Sequence, residues 1–167
     1  MAPDNSASLF SADFRKVMRQ LAAGVCIVTV GTPGDRRGLT ATAICSLSDN
    51  PPMILACVNK SAGAHDLILQ ERRFAVNVLA ADQISIAKCF AGQTGRSGEK
   101  RFEEWQWQTS VTGAPILVDA LINIDCALAE EKSMSTHTIL LGKVEHCTSR
   151  ADASALLYWC GSYKEMQ

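Results

Sequence analysis

The sequence lacks the features that mark several common classes of protein. No apolar run approaches the roughly 20 residues that a membrane-spanning helix requires. The formal net charge is only −1, so the composition suggests no basic surface for nucleic acid. No G-x-G-x-x-G follows a strand, and no G-x-x-x-x-G-K-S/T or G-x-S-x-G occurs. These absences argue against a membrane span, nucleic-acid binding, a Rossmann fold, a P-loop nucleotidase and an α/β hydrolase.

Cysteine and histidine are present, but not in the patterns that bind metals. None of the seven cysteines forms a C-x-x-C pair, and only three histidines occur. Several thiols lie inside apolar runs such as GVCIV and LACVN. We therefore expect free, core-forming thiols in a reducing compartment and no metal site. The polar N-terminus has no basic start and no long apolar stretch, so we expect no secretory signal and a cytoplasmic location.

The chain contains enough apolar residues for one substantial core. It has 167 residues, of which 47% are hydrophobic, so we expect a single domain over residues 1–167. Helical spacing or capping residues predict helices at 11–23, at 61–73 with Ser61 as cap, and at 82–91 with Asp82 as cap. β-branched and alternating patterns predict strands at 25–30, 38–48, 53–58, 74–80, 120–131, 137–147 and 155–160.

Many strands with few, short helices favour a mainly β fold, an antiparallel barrel that is closed or nearly closed. The segments VCIVTV and ILACVN are apolar on both faces, which predicts that a helix or a second subunit covers them. A glycine-rich stretch between the last helix and residue 115 is expected to be a functional or mobile loop. Its Trp105 and Trp107 are expected in the core or at a dimer interface. Solvated charges are expected at Arg36, Arg37, Arg96, Lys100 and Arg101, and the alternative for the last three is a basic cover over a ligand.

The segment GLTATAICSLS is unusual because it places small and hydroxyl-bearing residues where a strand of this apolar chain would carry large ones. Small side chains let a flat ligand approach the backbone closely. Thr40, Thr42, Ser46 and Ser48 occupy alternate positions, so in one continuous strand their hydroxyls would share a face. The simpler interpretation is that these are ordinary strand residues.

The segment NKSAG follows the next predicted strand and starts a predicted helix. Asn59, Lys60 and Ser61 there offer a cation, a hydroxyl and helical amides, a combination that suits a phosphate. Together the two segments would fit a planar heteroaromatic compound with a phosphate tail. The alternative is a solvated loop charge at Lys60.

The whole chain, from FRKVMRQLAAGVCIVTV through GLTATAICSLSDNPPMILACVNKSA and FAVNVLAADQ to STHTILLGKV and LLYWCGSY, resembles the short-chain flavin reductase family. It is most similar to the reductase components of two-component aromatic monooxygenases and to the pyrimidine-utilisation flavin reductases. The resemblance implies an FMN-binding split barrel and a homodimer. It also implies that NADH or NADPH reduces FMN or FAD, and that a partner monooxygenase receives the reduced flavin.

The resemblance also implies roles for particular residues. Hydride passes directly from the nicotinamide to the flavin, so no catalytic acid is required. The flavin ring would contact Thr40, Ala41, Thr42, Cys45, Ser46 and Ser48. The flavin phosphate would contact Asn59, Lys60 and Ser61. Asn77 and Phe102 match further flavin-side positions, whereas His137 and Tyr163 match positions near the nicotinamide.

Two other functions remain open from the sequence. The protein would be a flavin carrier or redox protein if it bound flavin without turning it over. It would be a different flavoenzyme if it retained its flavin and reduced another substrate. The choices between FMN and FAD and between NADH and NADPH also stay open.

Overall fold

The computed structural model describes residues 5–166. The first four residues and residue 167, which the single-domain prediction includes, lie outside the described residues. Two short 3₁₀ helices, Ala81–Gln83 and Gly98–Phe102, accompany the α-helices and strands. These are α1 (Asn5–Met18), β1 (Ala23–Gly24), β2 (Cys26–Val30), β3 (Arg37–Ala41), β4 (Ile44–Asp49), β5 (Pro52–Asn59), α2 (His65–Glu71), β6 (Arg73–Val78), α3 (Ile84–Phe90), β7 (Trp107–Thr109), β8 (Pro115–Leu117), β9 (Ile122–Met134), β10 (His137–Ser149), β11 (Leu156–Trp159) and β12 (Ser162–Glu165).

Seven strands form one sheet in the order β3-β2-β6-β9-β10-β5-β4, and every neighbouring pair in it is antiparallel. Two smaller sheets, β1-β11-β12 and β7-β8, complete the fold. The prediction of a mainly β, antiparallel fold with few helices is confirmed.

The two edges of the large sheet are joined by a very short link. β3 and β4 are the edge strands, yet only Thr42 and Ala43 separate them along the chain. Because consecutive Cα atoms are about 3.8 Å apart, the end of β3 and the start of β4 lie within about 12 Å of each other. The sheet therefore curls until its edges meet at this link.

The prediction of one strand over residues 38–48 is wrong. β3 pairs with β2, whereas β4 pairs with β5 at the opposite edge of the sheet. A register shift between Ser46 and Ser48 interrupts the alternation a second time. The expected common face for Thr40, Thr42, Ser46 and Ser48 is therefore also wrong, because the chain changes sheet edges in the middle of the segment.

β2 is apolar on both faces because the chain itself covers both. Val28 and Val30 belong to the core inside the curled sheet, together with Phe74 and other buried residues. Ile27 belongs to a second core that includes the buried side of α3 and Phe90. Of the two coverings that the sequence left open for this strand, a helix is the one observed.

The cysteines are free, but fewer of them are buried than the apolar runs suggest. All seven are free thiols. The buried ones are Cys26, Cys89 and Cys126, whereas Cys57 is partly buried. The exposed ones are Cys45, Cys147 and Cys160.

The helices begin at residues other than the predicted caps. α2 begins at His65 after Ala64, and the Ser61 hydroxyl instead donates to Asn59 Oδ1 at 2.8 Å. α3 begins at Ile84, and Gln83 Oε1 accepts the Ala80 N–H at 2.9 Å in place of an Asp82 cap. The first helix ends at Met18 rather than at residue 23. No helix in residues 5–166 is long and apolar enough to cross a membrane.

The glycine-rich loop is anchored rather than free to cover a ligand. Its Glu99 accepts the Arg36 N–H and Nε–H, each at 2.7 Å. Arg101 donates to the carbonyls of Arg96, Gly38 and Phe90. Arg36 is thus not the solvated turn charge that the sequence suggested, and the predicted basic cover has its guanidinium groups bound within the fold.

Aromatic residues hold the same loop from inside. Phe102 lies 5.0 Å from Phe90 and 4.7 Å from Trp107 between ring centroids, and it is 1% exposed. Trp105 and Trp107 are partly buried and pack against this second core. The prediction of core positions for both tryptophans is confirmed.

The Arg36–Glu99 contact should make stability depend on pH. Burial alone would raise the pKa of Glu99, but hydrogen bonds from Arg36 and Gly34 lower it below its ordinary value of 4.5. A carboxylate with a lowered folded-state pKa stabilises fully above its unfolded pKa and progressively less as the pH falls through the folded pKa. Glu99→Gln should therefore destabilise the protein by about 1–2 kcal/mol near neutral pH.

The measurement is the melting temperature of wild type and Glu99→Gln across pH. The difference between them should be constant at neutral pH and shrink in the acid range below the ordinary glutamate pKa. Glu103→Gln, at an exposed position in the same loop, is the matched control and should stay close to wild type. A difference that persists unchanged in acid would contradict the assignment.

Candidate functional site

The link between β3 and β4 is the centre of the candidate site. Thr42 lines three adjoining cavities, with volumes of about 560, 190 and 250 Å³. Within residues 5–166 its hydroxyl has no hydrogen-bond partner, and the side chain is exposed. The point where strand pairing stops is thus also the point where the surface opens.

The largest of these cavities, which we call the apolar groove, has a volume of about 560 Å³. Its walls are mostly small or aliphatic. They are formed by Leu21, Gly24, Ala43, Ile44, Leu55 and Val78, together with Thr42 and three cysteines. Small-molecule sites commonly have this size and this apolar character.

Two of the three thiols of the apolar groove, those of Cys26 and Cys57, behave as apolar groups. Burial raises the pKa of Cys26 to about 12, and its thiol donates to the Ala41 carbonyl at 3.0 Å. Burial, and then the proximity of Cys45, also raises the pKa of Cys57. Because the thiolate is the nucleophilic form, Cys26 and Cys57 are poorly suited to covalent chemistry at neutral pH.

The outer face of β5 leads from the apolar groove to a polar turn. Ile54, Ala56 and Val58 point into the core, so Leu55, Cys57 and Asn59 follow one another on the opposite face. Leu55 and Cys57 line the groove, and Asn59 begins the turn that we call the NKS turn, residues 59–61. The groove and the turn are therefore successive parts of one strand face.

The NKS turn is held by its own side chains and by β10. Asn59 Oδ1 accepts the Ser61 N–H at 2.9 Å, and the Lys60 N–H donates to the Thr136 carbonyl at 3.0 Å. His137 pairs with Asn59 in the sheet. The structure thus brings the predicted phosphate residues together with His137. The expected contribution of a helix N-terminus is absent at Ser61, because α2 begins four residues later and is only seven residues long.

The cavity of about 190 Å³, the tyrosine cavity, adjoins the groove at Thr42. Thr40, Ala41, Gln93, Tyr158 and Tyr163 are among its lining residues. The two tyrosine rings meet edge to face with centroids 5.4 Å apart. Burial, and then Tyr158, raises the pKa of Tyr163, so the phenol stays protonated at neutral pH.

Not every predicted residue reaches these cavities. Ser46 and Ser48, which flank the bulge in β4, line a separate cavity of about 310 Å³. Thr40 Oγ1 donates to the Ala87 carbonyl at 2.7 Å, so its hydroxyl is already bonded to α3. Tyr163 lies in the tyrosine cavity, whereas His137 lies beside the NKS turn, so the two predicted nicotinamide residues line different parts of the site.

The structure corrects the predicted flavin contacts of Asn77 and Phe102, because both side chains lie in the protein interior. Asn77 is fully buried, and its Nδ2 donates to the Ile27 carbonyl and to Thr29 Oγ1. Its Oδ1 accepts the Leu117 N–H at 2.7 Å. Phe102 belongs to the aromatic core described above. Neither side chain presents a surface that a ligand could contact in this structure.

Sequence reasoning missed Leu55, Cys57, Gln93 and Tyr158. The alternation along β5 could have found Leu55 and Cys57, since they occupy the outward positions before Asn59. No local signal identifies Gln93 or Tyr158, because the two residues meet Thr42 only through the tertiary fold. Among the described residues, no group of three or more His, Cys, Asp or Glu side chains is placed to hold a metal ion.

The outer face of one strand, β5, thus carries both an apolar groove and, at its end, a turn with the exposed cation Lys60. Residues 18–167 match the family model described as a flavin reductase like domain. The chain therefore belongs to the flavin reductase family, as its motifs predicted, and that family consists of oxidoreductases.

Relatives and solved structures agree with this membership. The chain is 39% identical over 158 residues to the FMN reductase (NADH) RutF of Stutzerimonas stutzeri, covering 95% of this chain and 90% of that protein. It is 32% identical to BorF, the flavin reductase component of a bacterial two-component tryptophan halogenase, with a TM-score of 0.86 and coverage of 93% and 98%. The flavin reductase PheA2 is 30% identical, with a TM-score of 0.84 and coverage of 93% and 97%.

Proposed function

We propose that the protein is an NADH-dependent flavin reductase that binds FMN along the outer face of β5 and releases it after reduction. The observation that carries the proposal is the continuity of the apolar groove with the NKS turn through Leu55, Cys57 and Asn59. The groove takes the flavin ring, and the turn takes the phosphate. The sheet that forms them is the family's split barrel, with its edges meeting at the link between β3 and β4.

The side chains of the groove fit a flat aromatic ring. Small residues line the groove at Gly24, Ala43 and Cys57, so the ring can lie close to the backbone at the link. The exposed Thr42 hydroxyl supplies a hydrogen-bonding group at the ring edge, whereas Cys45, Ile44 and Leu55 supply apolar contact. These residues would orient the flavin ring, to which the nicotinamide would supply hydride, and would exclude water from one of its faces.

The NKS turn supplies the polar end of the site. Lys60 is exposed, so its ammonium group can contact a phosphate without breaking a buried interaction. The Ser61 hydroxyl and N–H both point to Asn59 Oδ1, and a phosphate oxygen would replace that carboxamide oxygen as their acceptor. Binding of the phosphate would therefore replace hydrogen bonds within the turn and would leave the core unchanged.

The nicotinamide ring is proposed to enter the tyrosine cavity beside Tyr163. That cavity and the groove share Thr42, so their occupants meet at this residue. Direct hydride transfer requires the two rings at about 3–3.5 Å, and holding them there is the main catalytic task of the protein. His137, beside the NKS turn, is proposed to contact the nucleotide at that end of the site.

A second copy of the chain is proposed to cover α1. One side of this helix and the residues after it expose Phe10, Phe14, Val17, Met18 and Leu21, each at 44–76% of its surface. Their spacing places them on a single face, and Leu21 continues that face into the apolar groove. A contiguous apolar surface of this kind marks an interaction site, and a homodimer would cover it.

The further parts of the proposal follow from the family. The reduced flavin would be delivered to a separate monooxygenase in the cytoplasm, since the site lies open at the surface and a reduced flavin can leave it. FAD and NADPH are the alternative flavin and hydride donor. The adenosine half of FAD would extend beyond the NKS turn into solvent.

The activity test is NADH oxidation with FMN added in excess over protein. We expect many turnovers per subunit with NADH and FMN, and crossing FMN and FAD with NADH and NADPH ranks the four combinations. A single stoichiometric reduction would instead identify a flavin carrier. Flavin that stays with the protein through gel filtration and is not exchanged would identify a flavoenzyme of another kind.

The phosphate placement predicts a difference between two ligands. Lys60→Ala and Ser61→Ala should each weaken FMN binding by about 1–3 kcal/mol. Riboflavin has the same ring without the phosphate, so its affinity should stay unchanged in flavin-fluorescence titrations. Lys143→Ala is the matched control, because Lys143 pairs with Met53 at the far end of β5. Equal losses for both ligands would place the phosphate elsewhere.

The dimer proposal predicts an effect of charge on the apolar face of α1. Phe14→Glu should convert a dimer into a monomer in sedimentation velocity at micromolar protein, because the interface would bury an unpaired carboxylate. Lys16→Glu, at a position that is exposed and outside the apolar set, should leave the dimer intact. A wild-type protein that sediments as a monomer would refute this part of the proposal.

A further inference from the structure

His65 is a buried histidine whose two ring nitrogens are both hydrogen-bonded. It is the first residue of α2 and is 7% exposed. Its Nε2 lies 2.8 Å from Thr138 Oγ1, and its Nδ1 lies 2.7 Å from Asp66 Oδ1. Thr138 is itself 2% exposed, so the bond between α2 and β10 is shielded from water. Buried and fully satisfied polar pairs of this kind specify one arrangement of the chain.

The position of this pair relates it to the NKS turn. The turn is bonded to β10 at its start, where the Lys60 N–H donates to the Thr136 carbonyl. The His65–Thr138 bond joins the start of α2, four residues after the turn, to the second residue of β10. Between the two bonds Ala62 packs against the core and Ala64 is fully buried, whereas the Gly63 position faces open space. The His65–Thr138 bond is the buried side-chain hydrogen bond that ties the end of this segment to β10.

The roles of the two nitrogens follow from their partners. The ionised Asp66 carboxylate can only accept, so Nδ1 carries the proton and donates it. In the neutral ring Nε2 then accepts the Thr138 hydroxyl proton. The bond to Asp66 sets the tautomer of the ring. Because the Asp66 side chain is 97% exposed, the buried bond to Thr138 is the one that sets the position of the ring.

We propose that His65 is a positioning residue for the flavin phosphate, which rests on the proposed function of the NKS turn. His65 does not touch the flavin. Through Thr138 it holds the end of the turn against β10, so that Lys60 and the Ser61 N–H stay in place for the phosphate. Loss of the bond leaves the ring site intact and loosens only the phosphate site.

Two conservative substitutions test the hydrogen bonds of the two His65 ring nitrogens separately. A glutamine amide reaches the place of Nε2, and an asparagine amide reaches only that of Nδ1. His65→Gln should keep FMN affinity within about twofold of wild type, whereas His65→Asn should weaken it about tenfold, as for the loss of one buried hydrogen bond. Thr138→Ser should resemble wild type, and Thr138→Val should resemble His65→Asn. The double variant His65→Asn/Thr138→Val should be no weaker than either single variant.

The readout is the ratio of FMN to riboflavin affinity, measured by fluorescence titration in the same preparation. A general loss of folded protein affects both ligands and cancels in the ratio. Equal weakening of both ligands, or wild-type behaviour of His65→Asn, would overturn the positioning role. If Lys60→Ala lowers the ratio and His65→Asn does not, only this inference fails. If neither variant changes the ratio, the phosphate placement itself is wrong, and this inference fails with it.

Discussion

The structure depends on one constraint, that a seven-stranded sheet has its two edges joined by the two residues Thr42 and Ala43. The link forces the sheet to curl, and it also interrupts the hydrogen-bond ladder where the edges meet. Large side chains at the link would obstruct the cavities that open there. The small residues in GLTATAIC thus lie where the chain changes sheet edges and where the cavities open.

The candidate site follows from this constraint. Because the ladder stops at Thr42, cavities open on both sides of it, and the outward face of β5 forms the floor of the larger one. The same strand continues to Asn59, so the apolar and polar parts of the site need no separate scaffold. A ligand with a flat ring and an anionic tail matches this order of apolar and cationic surface, which is the order that the proposed flavin site requires.

Hydrogen bonds between distant segments fix the parts that strand pairing leaves free. Arg36 and Glu99 hold the glycine-rich loop against the β2–β3 turn, and Arg101 ties it to β3 and α3. His65 and Thr138 do the same for the chain that follows the NKS turn. These contacts involve charged or buried polar groups, whose loss costs more than the loss of an exposed pair.

The sequence by itself determined the mainly β character and most strand positions, because a local period in the residues indicates each of them. It could not determine that residues 38–48 cross between sheet edges, nor that Asn77 and Phe102 lie inside. Only the tertiary structure decided these points and joined His65 to Thr138, 73 residues apart. The physical reason is that local periodicity sets which face of a strand is apolar, whereas sheet order and register decide which faces meet.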